Sequence, residues 1–153
     1  MLPESKAYGG TIILKYKGET MMIEVISVGE RGVSRSLNKL QELITRNIDA
    51  LELVAKIDDH KSNYSFMAIF HDRCTVGKYS ACIQEWGSND GKSGVGGSYF
   101  ISMNKFLDEN NLPIKSISLF DHDVKAIGYE TREALGSEDR MKIWAKYAQH
   151  LLS

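Results

Sequence analysis

The sequence has little of several things that would declare a function. It holds two cysteines and two prolines in 153 residues. Cys74 and Cys82 are too few for a disulfide framework, so both are expected as reduced thiols in a cytoplasmic protein. Basic charge is not in excess, because 19 Lys and Arg stand against 20 Asp and Glu. The balance holds along the chain: ten basic and ten acidic residues up to residue 76, nine basic and ten acidic after it. Proteins that grip a duplex through its phosphates carry a positive surplus, so nucleic acid is disfavoured as a partner. No apolar run approaches the ~18 residues of a membrane span, so a membrane is not expected either. The start, Met1-Leu2-Pro3-Glu4-Ser5-Lys6, lacks the basic-then-apolar pattern of a secretory signal. Gly-x-Ser-x-Gly, His-Glu-x-x-His and paired Cys-x-x-Cys are all missing, so no metal and no cofactor is expected.

What is present is ordinary globular chemistry. Hydrophobic residues make up 42% and charged residues 25%, enough to build one core across a single domain spanning 1–153. Residues 11–17 and 20–27 alternate like a hairpin. Gly18-Glu19 fits a two-residue turn, which would pair Tyr16 with Met21, Leu14 with Ile23 and Ile12 with Val25. Leu37, Leu40, Ile44, Ile48, Leu51 and Ala55 recur at steps of three and four, predicting a helix over 36–57 with Ser34 or Ser36 as its N-cap. A second hairpin is expected from 64–72 and 78–86, with residue 72 facing residue 80 and Cys82 facing Phe70. Residues 87–97 are rich in glycine and read as a loop. A helix over 101–110, a strand over 114–120, a turn at Asp121-His122-Asp123, a returning strand over 124–129 and a helix over 138–152 complete the pattern. The expected fold is α+β: an antiparallel sheet of three hairpin–helix units (ββα-ββα-ββα), with the helices packed on one face. The other face, or an edge, is left to meet something.

Three segments could carry function. Arg31, Ser34, Arg35 and Lys39 gather where a strand enters a helix, and free N–H groups at a helix start attract anions. The bland reading is a solvated basic turn offset by Glu30 and Glu42. Trp86 and Tyr99 flank the Gly-rich loop that carries Asp90 and Lys92. Large aromatics beside an adaptable polar loop suit a protein-binding surface, although these aromatics, Phe100 next to Tyr99 above all, would also serve as core. Gly91-Lys92-Ser93 resembles part of a phosphate-binding loop, but three residues separate Gly87 from Gly91 where that loop needs four. The third segment type is the His–Asp pair. His71, Asp121, His122 and Asp123 would supply acid–base chemistry if they met in space. Asp in a turn has a commoner role, capping local backbone.

The expected function is a small cytoplasmic protein-binding module without chemistry, of the inhibitor, immunity or adaptor kind, whose partner is another protein. The competing expectation is a small enzyme or ligand binder for a phosphorylated or anionic substrate. It would combine the Arg31/Arg35 loop with the His–Asp clusters. Proximity of those groups discriminates the two.

Overall fold

The computed structural model describes residues 11–16, 19–28, 33–89, 94–129, 131 and 135–153. The elements run β1 (Thr11–Tyr16), β2 (Glu19–Ser27), α1 (Val33–Arg46), a 3-10 turn at Ile48–Ala50, β3 (Leu51–Asp58), β4 (Asn63–His71), β5 (Lys78–Asn89), α2 (Gly94–Glu109), β6 (Ile114–Ser118), α3 (Asp121–Ile127) and α4 (Ser137–Leu152). Six strands form one sheet in the order β1-β2-β5-β4-β3-β6. The α+β class stands, but the sheet is mixed. β2 pairs with β5 and β3 with β6 in parallel, while the other three pairings are antiparallel.

The expected antiparallel ββα repeat is therefore corrected, and the cause is β3. Leu51 and Ala55 fit a helical period, yet Leu53, Val54, Ala55 and Ile57 are all buried in a strand. A strand buried on both faces reads as an apolar run, which periodicity confuses with a helix. The helix ends at Arg46, and Asn47 turns the chain into β3. The helix also opens at Val33, so Ser34 and Ser36 lie inside it rather than at its cap.

Both sheet faces are covered, not one. Val54, Phe66, Ala68, Phe70 and Cys82 pack against Leu37, Leu40 and Ile44 of α1 and Met103 and Leu107 of α2. On the other face Ile23, Val25, Ala55, Ile57, Met67, Ile69 and Ile83 pack against Trp144, Ala145, Tyr147, Ala148 and Leu151 of α4. No sheet face is left open for a partner among the described residues.

Both hairpins sit two residues away from their expected register. Tyr16 faces Glu19, Leu14 faces Met21 and Ile12 faces Ile23. Phe70 faces Ser80, and Cys82 faces Ala68. A two-residue slip keeps every side chain on its face, so the hydrophobic pattern cannot detect it. The β4–β5 turn is fixed by Asp72, whose Oδ1 accepts the N–H groups of Cys74 (2.8 Å) and Thr75 (2.9 Å). Gly77 has φ +84°, and its carbonyl accepts the Met22 N–H at 2.8 Å. A Cβ there would lie 2.9 Å from the Thr20 carbonyl oxygen, so glycine is needed for both reasons.

β5 carries a bulge. Tyr64 faces Ser88 while Phe66 faces Gln84, so three residues of β5 oppose one of β4. Trp86 takes φ +32° there, a strained value for a bulky residue that costs about 1–3 kcal/mol. The kink turns the indole onto the α4 face, beside Ile83, where regular alternation would send it to the α1/α2 face. The displaced backbone is satisfied: the Trp86 N–H donates to Ser65 Oγ (2.8 Å), and its carbonyl accepts from Gln84 Nε2 (2.9 Å). The indole N–H donates to the Ile127 carbonyl at 2.7 Å.

α4 docks through Trp144, which is fully buried and lies 5.8 Å from the Trp86 ring. Trp144→Ala is expected to cost about 3–5 kcal/mol in urea unfolding, the range for deleting a buried large aromatic. A loss under about 1 kcal/mol would mean that α4 is not docked as described.

Candidate functional site

β2, β5, β3 and β6 all run in one direction, so their C-terminal ends share one edge of the sheet. That edge is built by the Asp58–Ser62 loop, the end of β6 and the start of α3. Asp59 is buried, and its carboxylate accepts the N–H groups of Lys61 (2.8 Å), Asn63 (3.1 Å) and Tyr129 (3.4 Å) and the Asn63 amide (3.0 Å). Its work is to hold a loop in which His60 and Ser62 both have φ +66°. Asp58 accepts from Ser118 Oγ at 2.8 Å, tying β3 to β6 by side chain as well as ladder. His60 Nε2 donates to the Leu119 carbonyl at 2.7 Å.

Phe120 follows at the N-cap of α3. Asp121-His122-Asp123 is thus the first turn of a helix, not a free turn. The expected strand over 124–129 is replaced by the rest of α3. Acidic residues suit that position because they oppose the positive helix end. The Phe120 N–H donates to Tyr147 Oη (2.9 Å), and the Tyr147 hydroxyl donates to Asp123 Oδ2 (2.6 Å). His122 Nε2 lies 3.5 Å from Asp123 Oδ1. The Phe120 ring is 50% exposed yet closely held. It stacks on Tyr147 (5.4 Å) and His122 (6.1 Å) and meets His150 edge-on (6.2 Å).

A cleft of about 580 Å³ lies at the opposite end of the sheet. Glu24, His71, Asp72, Arg73, Cys74 and Lys78 line it. His71 Nδ1 donates to Glu52 Oε1 at 2.7 Å in an exposed pair. The Cys74 and Thr75 N–H groups hold Asp72 below the usual carboxylate range, with Lys78 adding to them. The cleft offers acids and bases in near balance rather than a seat for an anion.

The His–Asp groups do not converge. Phe70 faces Leu51 at one end of β3 and Tyr64 faces Asp58 at the other. At about 3.3 Å per residue, His71 is roughly 23 Å from the Asp58 end, where His60, His122 and Asp123 sit. α1 packs on one face of the sheet, and the layer holding Ile127 and Tyr147 packs on the other. Asp121 is exposed beside His122. Among the described residues, no three His, Cys, Asp or Glu side chains come together as metal ligands.

The expected protein-binding and anion-binding residues fare unevenly. Trp86 is 3% exposed and belongs to the core, so in this fold it is no surface anchor. Asp90, Lys92 and Arg31 lie outside the described residues, as do the side chains of Ser34, Arg35 and Tyr99. Lys39 is a half-exposed residue of α1. Phe120 and Tyr147 were not among the expected residues. The signal for Phe120 is an aromatic standing between a strand and an acidic helix start.

Comparison with protein-family models, with curated proteins and with solved structures finds no match.

Two measurements test this geometry. Burial, with Glu24 nearby, pushes the Cys82 thiol up to about 12, whereas Cys74 is exposed in the turn. A thiol reagent should therefore label Cys74 within minutes and Cys82 only on unfolding. Two equally fast thiols would contradict the packing over β5. Burial, then the hydrogen bond to Asp123, raises the Tyr147 phenol above its ordinary value. Stability from a raised phenol is complete below pH ~10 and is lost as pH climbs through the folded value. Tyr147→Phe should cost about 1–3 kcal/mol at neutral pH, because Asp123 and the Phe120 N–H lose their partner. It should also shrink the fall in urea stability above pH ~10. An unchanged alkaline limb would refute this role.

Proposed function

We propose that the chain is a protein-binding module of the inhibitor, immunity or adaptor kind, which recognises another protein and performs no chemistry. The observation that carries the reading is Phe120, a large aromatic half in solvent but fixed by three rings and a backbone hydrogen bond. Interfaces draw most of their energy from a few such anchors. An anchor ordered before binding loses little further entropy. Tyr129, 36% exposed, stands at the same end of the sheet. The reading also takes in Asp90, Lys92 and Tyr99, which follow β5 in the sequence.

The anionic-substrate reading has less support. It needs Arg31 and Arg35 to share a pocket with His71 or His122. His71 lies at the far end of the sheet, and α3 and α1 belong to different layers. His60 and His71 are also engaged with a carbonyl and a carboxylate.

Affinity capture from the source cells, with Phe120→Ala as the control, tests the proposal. A partner in fixed stoichiometry should be retained by the unaltered chain and depleted about tenfold or more by Phe120→Ala, a loss of roughly 1.4 kcal/mol. The variant should keep its circular dichroism and lose only a few degrees in melting temperature, about the worth of the ring contacts removed. Identical proteins bound by both chains would overturn Phe120 as the anchor.

A further inference from the structure

β6 is an edge of the sheet, and its register shows which of its backbone groups are unused. The Val54 N–H donates to the Pro113 carbonyl, and the Leu119 N–H donates to the Asp58 carbonyl, both at 2.9 Å. In a parallel ladder, alternate residues of a strand turn both backbone groups toward the neighbour. The odd-numbered residues from 113 to 119 therefore face β3. Ile114, Ser116 and Ser118 turn theirs to the open side. Phe120 obeys the same parity, since its N–H points away from β3 and reaches Tyr147. No other described residue hydrogen-bonds the backbone groups of Ile114, Ser116 or Ser118.

Natural proteins guard such edges, most often with a lysine. β6 has Lys115 at its centre, but that lysine is not on guard. Its Nζ donates to the Leu151 carbonyl at 2.8 Å and so lies back over the end of α4. Small Ser116 is left exposed at the middle of the edge. Between β6 and α4 runs a groove of about 470 Å³, lined by Lys115, Ser116, Ile117, His150, Leu151 and Ser153. Its two ionisable side chains, Lys115 and His150, are both basic. Ile117 supplies an apolar step between them.

We propose that β6 is a docking edge for an extended segment of a partner protein, which adds to the sheet as a seventh strand. The inference rests on the protein-binding reading and specifies its partner. Main-chain hydrogen bonds to Ile114, Ser116 and Ser118 supply the affinity, as in other strand-addition complexes. Side chains of the segment alternate between the two sheet faces. Those on the α4 face place a carboxylate near Lys115 and His150 and an apolar group over Ile117. Phe120 stands at the end of the edge, where the segment or its flank meets it.

The test uses the full chain and a capped heptapeptide, Thr-Glu-Thr-Val-Thr-Glu-Thr, whose glutamates and valine share one face of the strand, with a counterpart carrying lysine in place of each glutamate. Amide hydrogen exchange is followed residue by residue. The acidic peptide should slow exchange at Ile114, Ser116 and Ser118 by about tenfold or more, roughly the worth of one hydrogen bond. Lys115 and Ile117, already bonded within the sheet, should change far less. The basic peptide should bind about tenfold more weakly. Ser116→Pro should abolish the effect without unfolding the chain, because an outward N–H on an edge strand can be lost without breaking the ladder. Methylating the peptide's alternate backbone nitrogens should abolish it with the protein untouched.

Absence of the even-residue pattern at millimolar peptide overturns strand addition. If Phe120-dependent capture survives that result, the protein-binding reading stands and only the docking mode falls. Slowed exchange at these residues that grows with protein concentration, without peptide, would assign the edge to a second copy of this chain instead.

Discussion

The Glu85 carboxylate is the interaction on which the second helical layer depends. It lies beneath α4 and accepts hydrogen bonds from Arg140 Nε (3.0 Å), Arg140 Nη2 (3.3 Å) and the Trp144 indole N–H (3.0 Å). The two charged side chains are only 13% and 20% exposed. A largely buried charge costs much to leave unpaired, so the acid and both donors must meet for α4 to dock. One residue further on, the Trp86 kink places a second indole on the same face and carries its N–H to α3 through Ile127. Strain in one residue and one buried ion pair thereby fasten α3 and α4 to β5. The aromatic corner at Phe120 inherits its order from that attachment, because Tyr147 belongs to the helix that Glu85 holds.

The two ends of the sheet differ in kind. At one end lie hairpin turns, surface ion pairs and a broad polar cleft. At the other, strands finish and helices begin, and irregular backbone is needed to turn the chain. Asp59 meets that need by collecting four donors, and the Tyr147–Asp123 bond holds the first turn of α3. Asp123, read as possible chemistry, serves geometry here, as Asp59 does. What stays open at this end, among the described residues, is the ring of Phe120 and the outer side of β6.

The sequence made some elements legible and concealed others for physical reasons. Both hairpins and α4 were visible because each buries one clear periodic face. Their register was hidden, since a shift by two residues moves no side chain to another face. β3 was hidden because Leu51 and Ala55 satisfy two periods at once. α3 is seven residues long, too short for period to separate helix from strand. α2 begins at Gly94 and carries Gly96 and Gly97, a composition that argues against a helix. At the site, Trp86, weighed as a surface anchor, is core, and Phe120, given no role in advance, is half exposed. No local pattern announces a bulge that turns a tryptophan inward, and the aromatic before an acidic helix start is a signal that does not by itself give the exposure of Phe120.

The mixed pairing also sets an order of assembly in time. β3, β4 and β5 are joined by short turns and can zip together locally. The parallel pairs require the chain to close from Met22 to Lys78 and from Val54 to Ile114, across whole helices. Such distant closures carry their entropy cost before any ladder rewards them, and they slow folding. The central meander is thus the natural kinetic nucleus, with β2 and β6 joining as late additions. One of the two late strands, β6, is thus also the one whose outer side stays open among the described residues.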